Sequence, residues 1–273
     1  MNPKILESTA NVPEHQKLLL KISSYFQKIP GIVSLFVSGS TATGGMDEYS
    51  DLDLGFLCRN EEVRNQIWNN RWNWGVAPWF HRFDADHIKP NFVIYFFEPN
   101  IHVDFNFYVE SDLPPPAGGP FVIAWDETGK MESWAESTNQ GKPREPDWSN
   151  VVHEDEQFWA WIHYSASHAA RGEFYDTVRF LKDLRSIVEN WEARLAGRHV
   201  FDSRRAEERY PKDFLAEMAR TFCTPSRDGI KNAFASLIRV QLRQRSEIGR
   251  RHSINWKVSD EAIAKIRSFA EEI

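Results

Sequence analysis

Only two cysteines, Cys58 and Cys223, occur in 273 residues. That is too few for a disulfide framework, and both are expected to be reduced, buried packing residues of a cytoplasmic protein. No run of about 18 apolar residues is present, which excludes a membrane-spanning helix. The segment Met1–Asn11 is polar and lacks the apolar core of a secretion signal, so export is not expected. An excess of positive charge is missing too. The formal net charge is −6, which argues against a nucleic acid backbone as the main partner and is compatible with a cationic small substrate. There are no internal repeats, and the one low-complexity stretch is the breaker run Leu113–Pro120, expected to be a loop.

What is present is ordinary in bulk, with 41% hydrophobic and 26% charged residues, as in a globular protein of one large or two modest domains. Tryptophan is the exception. Eleven occur, grouped at Trp68, Trp72, Trp74 and Trp79 and again at Trp125, Trp134, Trp148, Trp159 and Trp161. Packing is their expected use, with stacking of one or two on a nucleobase or substrate ring as the sharper alternative.

The first half alternates short apolar runs with turn signals. Pro13–Ile29 reads as a helix with Leu18, Leu19, Ile22, Tyr25 and Phe26 on one stripe. Ile32–Val37 reads as a buried strand ending in the small turn Gly39-Ser40, where backbone can approach a ligand. Leu52–Cys58 reads as a second strand. Asn60 is placed to cap a helix running to about Trp74. Gly75–Pro90 fits no clear pattern, and its His81–His87 segment is expected to be loop rather than metal centre. Phe92–Phe97 and Ile101–Val109 read as a β-hairpin, and Phe121–Trp125 as a last strand before a turn at Asp126.

Chemistry concentrates at Asp51-Leu52-Asp53. In a strand, i and i+2 share a face, so the two carboxylates point together while Leu52 and Leu54 face the core. Paired carboxylates repel, and a divalent cation such as Mg²⁺, with its preference for oxygen ligands, removes the conflict. The preceding Gly-Ser turn suits a phosphate. An Asp-x-Asp alone would read as an acidic strand edge; strand, Gly-Ser turn, spacer and Asp pair together describe a metal–nucleotide site.

Gly39-Ser40 followed by Asp51-Leu52-Asp53 resembles the signature of the polymerase-β-like nucleotidyltransferases, within which the chain is similar to the aminoglycoside and lincosamide nucleotidyltransferases. The resemblance implies an α/β (α+β) fold, with a small mixed β-sheet nucleotidyltransferase domain over 1–145 and an α-helical bundle domain over 146–273. It implies Mg²⁺-dependent transfer of a nucleoside monophosphate from a nucleoside triphosphate, ATP foremost, to a hydroxyl, with release of pyrophosphate. Two Mg²⁺ ions are expected, held by Asp51 and Asp53. Asp104, on the polar face of the second hairpin arm, is expected as the third carboxylate, holding one metal and taking the hydroxyl proton. Gly39, Ser40 and Ser50 are assigned to nucleotide and phosphate binding. An aminoglycoside is the leading acceptor and a lincosamide the second; a protein or tRNA acceptor of toxin–antitoxin type, and a non-catalytic nucleotide-binding regulator, are the alternatives. The intact Asp triad argues against the regulator.

The second half reads as helix after a polar linker over Met131–Val152. His153–Arg171 and Glu173–Ala196 come first, the latter with a clear apolar stripe and Gly197 at its stop. Arg185 falls within that stripe and Lys182 at its edge. Both are candidates for neutralising the triphosphate, with a structural ion pair as the other reading of Arg185. Glu173 and Asp126 are candidates for an additional base, although a helix-start Glu and a turn Asp explain them more simply. Phe214–Thr221, Gly229–Gly249 and a helix capped by Ser259 follow. The basic run Arg239, Arg243, Arg245, Arg250 and Arg251 is expected to be a solvated face.

Overall fold

The computed structural model describes residues 1–114, 119–139 and 145–273. The chain divides into two compact units, Met1–Pro143 and Arg144–Ile273. The proline-run residues 115–118 and the expected linker positions Gly141 and Pro143 lie outside the described residues.

The first unit is built on a six-stranded mixed sheet. Its strands are β1 (Ile32–Val37), β2 (Leu52–Cys58), β3 (Trp79–Asp84), β4 (Phe92–Phe97), β5 (Ile101–Tyr108) and β6 (Val122–Asp126), in the order β3-β4-β5-β2-β1-β6. Only β2 and β5 pair in parallel; every other neighbour is antiparallel. The alternation of β5 sets its two faces: Ile101, Val103, Phe105 and Phe107 are buried, while His102, Asp104 and Asn106 are partly exposed.

The buried face packs against α1 (Pro3–Ser8), α2 (Pro13–Phe26) and α4 (Glu61–Asn69), which contribute Ile5, Leu18, Leu19, Ile22, Phe26 and Ile67. Phe26 lies at the centre, its ring 4.4 Å from Phe56 and 5.0 Å from Trp74. Burying a ring of this size contributes roughly 2–3 kcal/mol. On the other face, α5 (Met131–Asn139) seats Met131 and Ala135 beside Phe36, Leu57, Tyr108 and Phe121.

Three readings of this half are corrected. Gly39-Ser40 is not a bare turn; it opens the short helix α3 (Gly39–Thr43), entered through Gly39 at φ +57°. Trp79–Asp84 is an edge strand, exposed along most of its length, so it lacks the alternation that marks a half-buried strand. The Met131–Val152 stretch is not all linker, because the amphipathic turns of α5 bury Met131, Ala135 and Thr138.

The second unit is helical. Its long helices are α6 (Val151–Ala170), α7 (Phe174–Leu195), α10 (Arg227–His252) and α11 (Asp260–Glu272), with α8 (Ala206–Arg209) and α9 (Lys212–Ala219) between them. The core closes on Phe158, Trp159, Trp191, Phe214 and Phe234, so tryptophan here serves packing. Two charged groups are built into it. Asp155 is fully buried and accepts from Gln241 Nε2 at 2.5 Å, with Arg245 Nε 3.3 Å away. Glu154 takes a two-pronged bond from Arg194, at 2.6 and 2.7 Å, and a third from Trp191 Nε1 at 2.7 Å. Arg245 therefore departs from the expected solvated face. Arg239, Arg243, Arg250 and Arg251 keep to the surface and pair with Glu217, Asp213, Glu192 and Glu247. Cys58 is buried as expected, whereas Cys223 is partly exposed.

Candidate active site

The site of the first unit is assembled where β1 and β2 emerge from the sheet. Ser38 N donates to Asp53 O at 3.1 Å, so the end of β1 is tied to the strand that carries the Asp pair. The chain then turns at Gly39. A Cβ built there would clash with Asp53 Oδ2 and lie 3.1 Å from its Cγ. Glycine is required on two counts: the positive φ and the space taken by the carboxylate.

The return to β2 is a tight polar turn. Ser50 Oγ donates to Asp47 Oδ1 at 2.9 Å and accepts from Asp47 N at 3.0 Å. His15 Nε2, from α2, donates to Ser50 O at 2.9 Å. The hydroxyl of Ser50, expected at the phosphate, thus fastens the loop that delivers Asp51. Behind α3, Ser8 Oγ donates to Thr41 O at 2.7 Å and Asn11 Nδ2 to Met46 O at 2.8 Å.

The register of the parallel pair places Asp53 directly beside Asp104, with Leu52 beside Val103 and Leu54 beside Phe105. Two carboxylates distant in sequence therefore share one face of one sheet, and Asp51 lies two residues before Asp53 on that side. Ser40 Oγ is shielded from solvent and makes no hydrogen bond within the protein. A buried hydroxyl left in this way is an uncommon cost, and it sits in the segment bordering the Asp pair.

The residue that sequence reasoning passed over is His102. Its Nε2 stands 2.6 Å from Asp104 Oδ1, and its ring stacks on Phe96 with centroids 5.0 Å apart. The Asp104 carboxylate holds the imidazole above its ordinary titration range; burial opposes this, and the charges of Asp104, Asp51 and Asp53 reinforce it. The alternation that exposed Asp104 also put His102 on the same face, so the signal was available.

The remaining candidates separate. Asp126 ends β6 and accepts from Thr128 N at 2.9 Å, Thr128 Oγ1 at 2.7 Å and Met131 N at 3.0 Å. Burial acts to raise its pKa, but the N–H groups of Met131 and Thr128 hold it below the usual carboxylate range. Glu173 occupies the N-cap position of α7, and its carboxylate reaches His168 Nδ1 at 2.5 Å. Arg185 donates to Thr221 O at 3.0 Å, and its guanidinium lies 4.4 Å from the Phe222 ring centre; burial lowers its pKa. Lys182 is exposed on α7. His81 stacks on Phe96 at 5.6 Å and His87 lies 6.4 Å from Phe83, away from any three-ligand group among the described residues.

A paired-carboxylate strand, a third carboxylate in register on the next strand, and a glycine-opened segment with an unsatisfied hydroxyl are brought together in the first unit. Residues 17–111 match the family model described as "Nucleotidyltransferase domain", a span that contains Gly39, Ser40, Asp51, Asp53 and Asp104. That span, which lies within the first unit, is similar to nucleotidyltransferase domains.

Three solved structures resemble the chain. An aminoglycoside 6-adenyltransferase from Bacillus subtilis is 11% identical, with a TM-score of 0.43, over 100% of this chain and 98% of that one. A nucleotidyltransferase-like protein from Exiguobacterium sibiricum 255-15 is 9% identical, with a TM-score of 0.29, over 94% and 89%. The CdnC:HORMA-deltaN complex of E. coli MS115-1 gives 11% identity and a TM-score of 0.26, over 97% and 91%. No curated protein sequence matches. Among the described residues, no helix is long and apolar enough to cross a membrane.

Proposed function

We propose that the protein transfers a nucleoside monophosphate from a nucleoside triphosphate, ATP foremost, to a hydroxyl of a small molecule, with an aminoglycoside as leading acceptor. The observation that carries this reading is the register of Asp53 against Asp104 beside the Gly39-Ser40 segment. The acceptor class rests on the acidic balance of the chain and on the likeness of its motif to antibiotic-modifying enzymes.

The residues fit a hard divalent cation. Asp51, Asp53 and Asp104 offer only carboxylate oxygens, which suit Mg²⁺, and the unsatisfied Ser40 Oγ fits a phosphate oxygen. Asp51 and Asp53 would hold the metal ions, with Asp104 sharing one. Bound there, Mg²⁺ would neutralise charge on the triphosphate and on the attacking and leaving oxygens.

The chain's own part is positioning. Ser40 Oγ donates to the phosphates, and the absence of a side chain at Gly39 lets them approach. Asp104 accepts the proton of the acceptor hydroxyl, and His102 fixes the orientation of that carboxylate. Arg185, engaged with Thr221 and Phe222, takes the structural reading.

The test is pyrophosphate release with Mg²⁺, using ATP and GTP in turn against a panel of aminoglycosides and lincosamides. Release that depends on one acceptor, and is lost in Asp104→Asn, supports the proposal. Mg²⁺-dependent nucleotide binding without release on the panel would refute the small antibiotic acceptor and point to a macromolecule. Neither binding nor release would refute the site.

A further inference from the structure

A second cluster of metal-ligating side chains lies in the helical unit. His168 is in the last turn of α6, Glu173 at the N-cap of α7 and Asp176 in its first turn. Gly172, at φ +81°, folds the chain between them. His168 Nδ1 stands 2.5 Å from Glu173 Oε2 and 3.1 Å from Asp176 Oδ2. One ligand atom from each residue lies within 4.8 Å of the other two, the only such group of three among the described residues.

The backbone makes this convergence repeatable. Glu173 N and Arg171 N both donate to His168 O, at 3.0 and 3.1 Å, and Gly172 N donates to Ala169 O at 2.9 Å. The imidazole is wedged between Tyr164, 4.5 Å away, and Phe180, 5.6 Å away. Its Nδ1 is shielded from solvent and, despite two nearby carboxylate oxygens, makes no hydrogen bond of ordinary geometry. Three ligand atoms therefore lie close together, and the nitrogen among them makes no hydrogen bond of ordinary geometry.

We propose that His168, Glu173 and Asp176, within the helical unit, form a binding site for a divalent transition ion, Zn²⁺ or Mn²⁺. The chemistry selects the ion. An imidazole nitrogen with two carboxylates suits the borderline ions of the first transition row, whereas Mg²⁺ takes oxygen ligands. Ligand bonds of about 2.0–2.2 Å put neighbouring donors roughly 3 Å apart; the His168–Asp176 contact already meets this, and the 2.5 Å His168–Glu173 contact must open by about half an ångström to do so. The carboxylates are partly exposed, so the site opens to solvent on one side and water completes the shell. A bound ion would pin the end of α6 to the start of α7. The competing occupant is a proton: an imidazolium bridging the two carboxylates.

The experiment is Zn²⁺ and Mn²⁺ titration calorimetry on the full chain carrying Asp51→Asn and Asp53→Asn, which removes the first site's contribution. The expected result is one equivalent of Zn²⁺, weakened at least tenfold by His168→Gln and by Glu173→Gln, and unmoved by His199→Gln, an exposed control. Mg²⁺ should not compete at millimolar concentration. Circular dichroism checks that each variant is folded; if His168→Gln is not, Asp176→Asn alone carries the comparison. No stoichiometric binding, or binding indifferent to Glu173→Gln and Asp176→Asn, would overturn the proposal and leave the trio as an ion-pair clamp.

Discussion

Replacing Gly39 with alanine should cripple turnover while costing about as much stability as the same change at Gly44. Two effects act at this position, and a second glycine separates them. At φ +57° any side chain is strained, by roughly 1–2 kcal/mol. Gly44, at φ +82°, carries a similar strain, but an added Cβ there meets nothing within 4 Å. At Gly39 the new methyl would lie 3.1 Å from Asp53 Cγ and overlap Oδ2. Restoring an ordinary contact of about 3.5–4.0 Å means moving Cγ by roughly 0.5–1 Å, and the oxygen further. A displacement of about 1 Å at a reacting centre can cost on the order of 100-fold in rate, about 2.7 kcal/mol. Gly39→Ala should therefore lose about 100-fold in kcat/KM for pyrophosphate release, with a melting temperature within a few degrees of Gly44→Ala. Gly44→Ala should keep activity within a few-fold of wild type. Equal activity losses in the two variants, or activity retained in Gly39→Ala, would refute the argument that the Gly39 backbone sets the position of Asp53.

Asp126→Asn should lower stability by about 1 kcal/mol, as losing a turn or cap acceptor does. Because its folded pKa is depressed, the wild-type advantage is complete above the unfolded value of about 3.9 and fades as pH falls through the folded value. Denaturation of both proteins between pH 3 and 7 checks the sign. Burial pushes the Cys58 thiol up to about 12, so at pH 8 its thiolate fraction is on the order of 10⁻⁴. Iodoacetamide should label Cys223 first, and mass spectrometry of the peptides reads the order. Arg185→Ala should cost about 1 kcal/mol in stability through the lost Thr221 bond, with the donor KM unchanged; a several-fold rise in that KM would restore its phosphate-binding role.

The strands of the catalytic half were legible because their alternation or burial is strong: Leu52–Cys58 follows from its apolar run and the β5 faces from period-two patterning. The edge strand Trp79–Asp84 was not, because an edge has no second buried neighbour to select its residues. It is held by its ladder to β4 and by stacking, with the Arg82 guanidinium 4.6 Å from the Trp72 ring centre and 4.2 Å from that of Trp79. The Asp51–Asp53 pair was visible for the same reason as its strand, whereas Asp104 depended on a family likeness, since nothing local reveals that β5 lies parallel to β2. His168, Glu173 and Asp176 straddle two helices and a left-handed glycine. Their convergence depends on the turn between the helices, which periodicity does not report.

The parallel pairing of β2 with β5 makes catalysis and correct folding answer to the same test. Along β5 a carboxylate at 104 is flanked by Val103 and Phe105, both fully buried. Slipping that strand by one residue against β2 would exchange the two faces, thrusting Asp104 into the aromatic core and lifting Phe105 into solvent. Expelling the ring forfeits roughly 2–3 kcal/mol, and burying the carboxylate unpaired costs more. A chain that has zipped the wrong register is therefore both inactive and unstable. Mutations that soften the Phe26–Phe56–Phe105 stack should accordingly act as errors of alignment at the active site, surfacing as lost turnover before any loss of secondary structure.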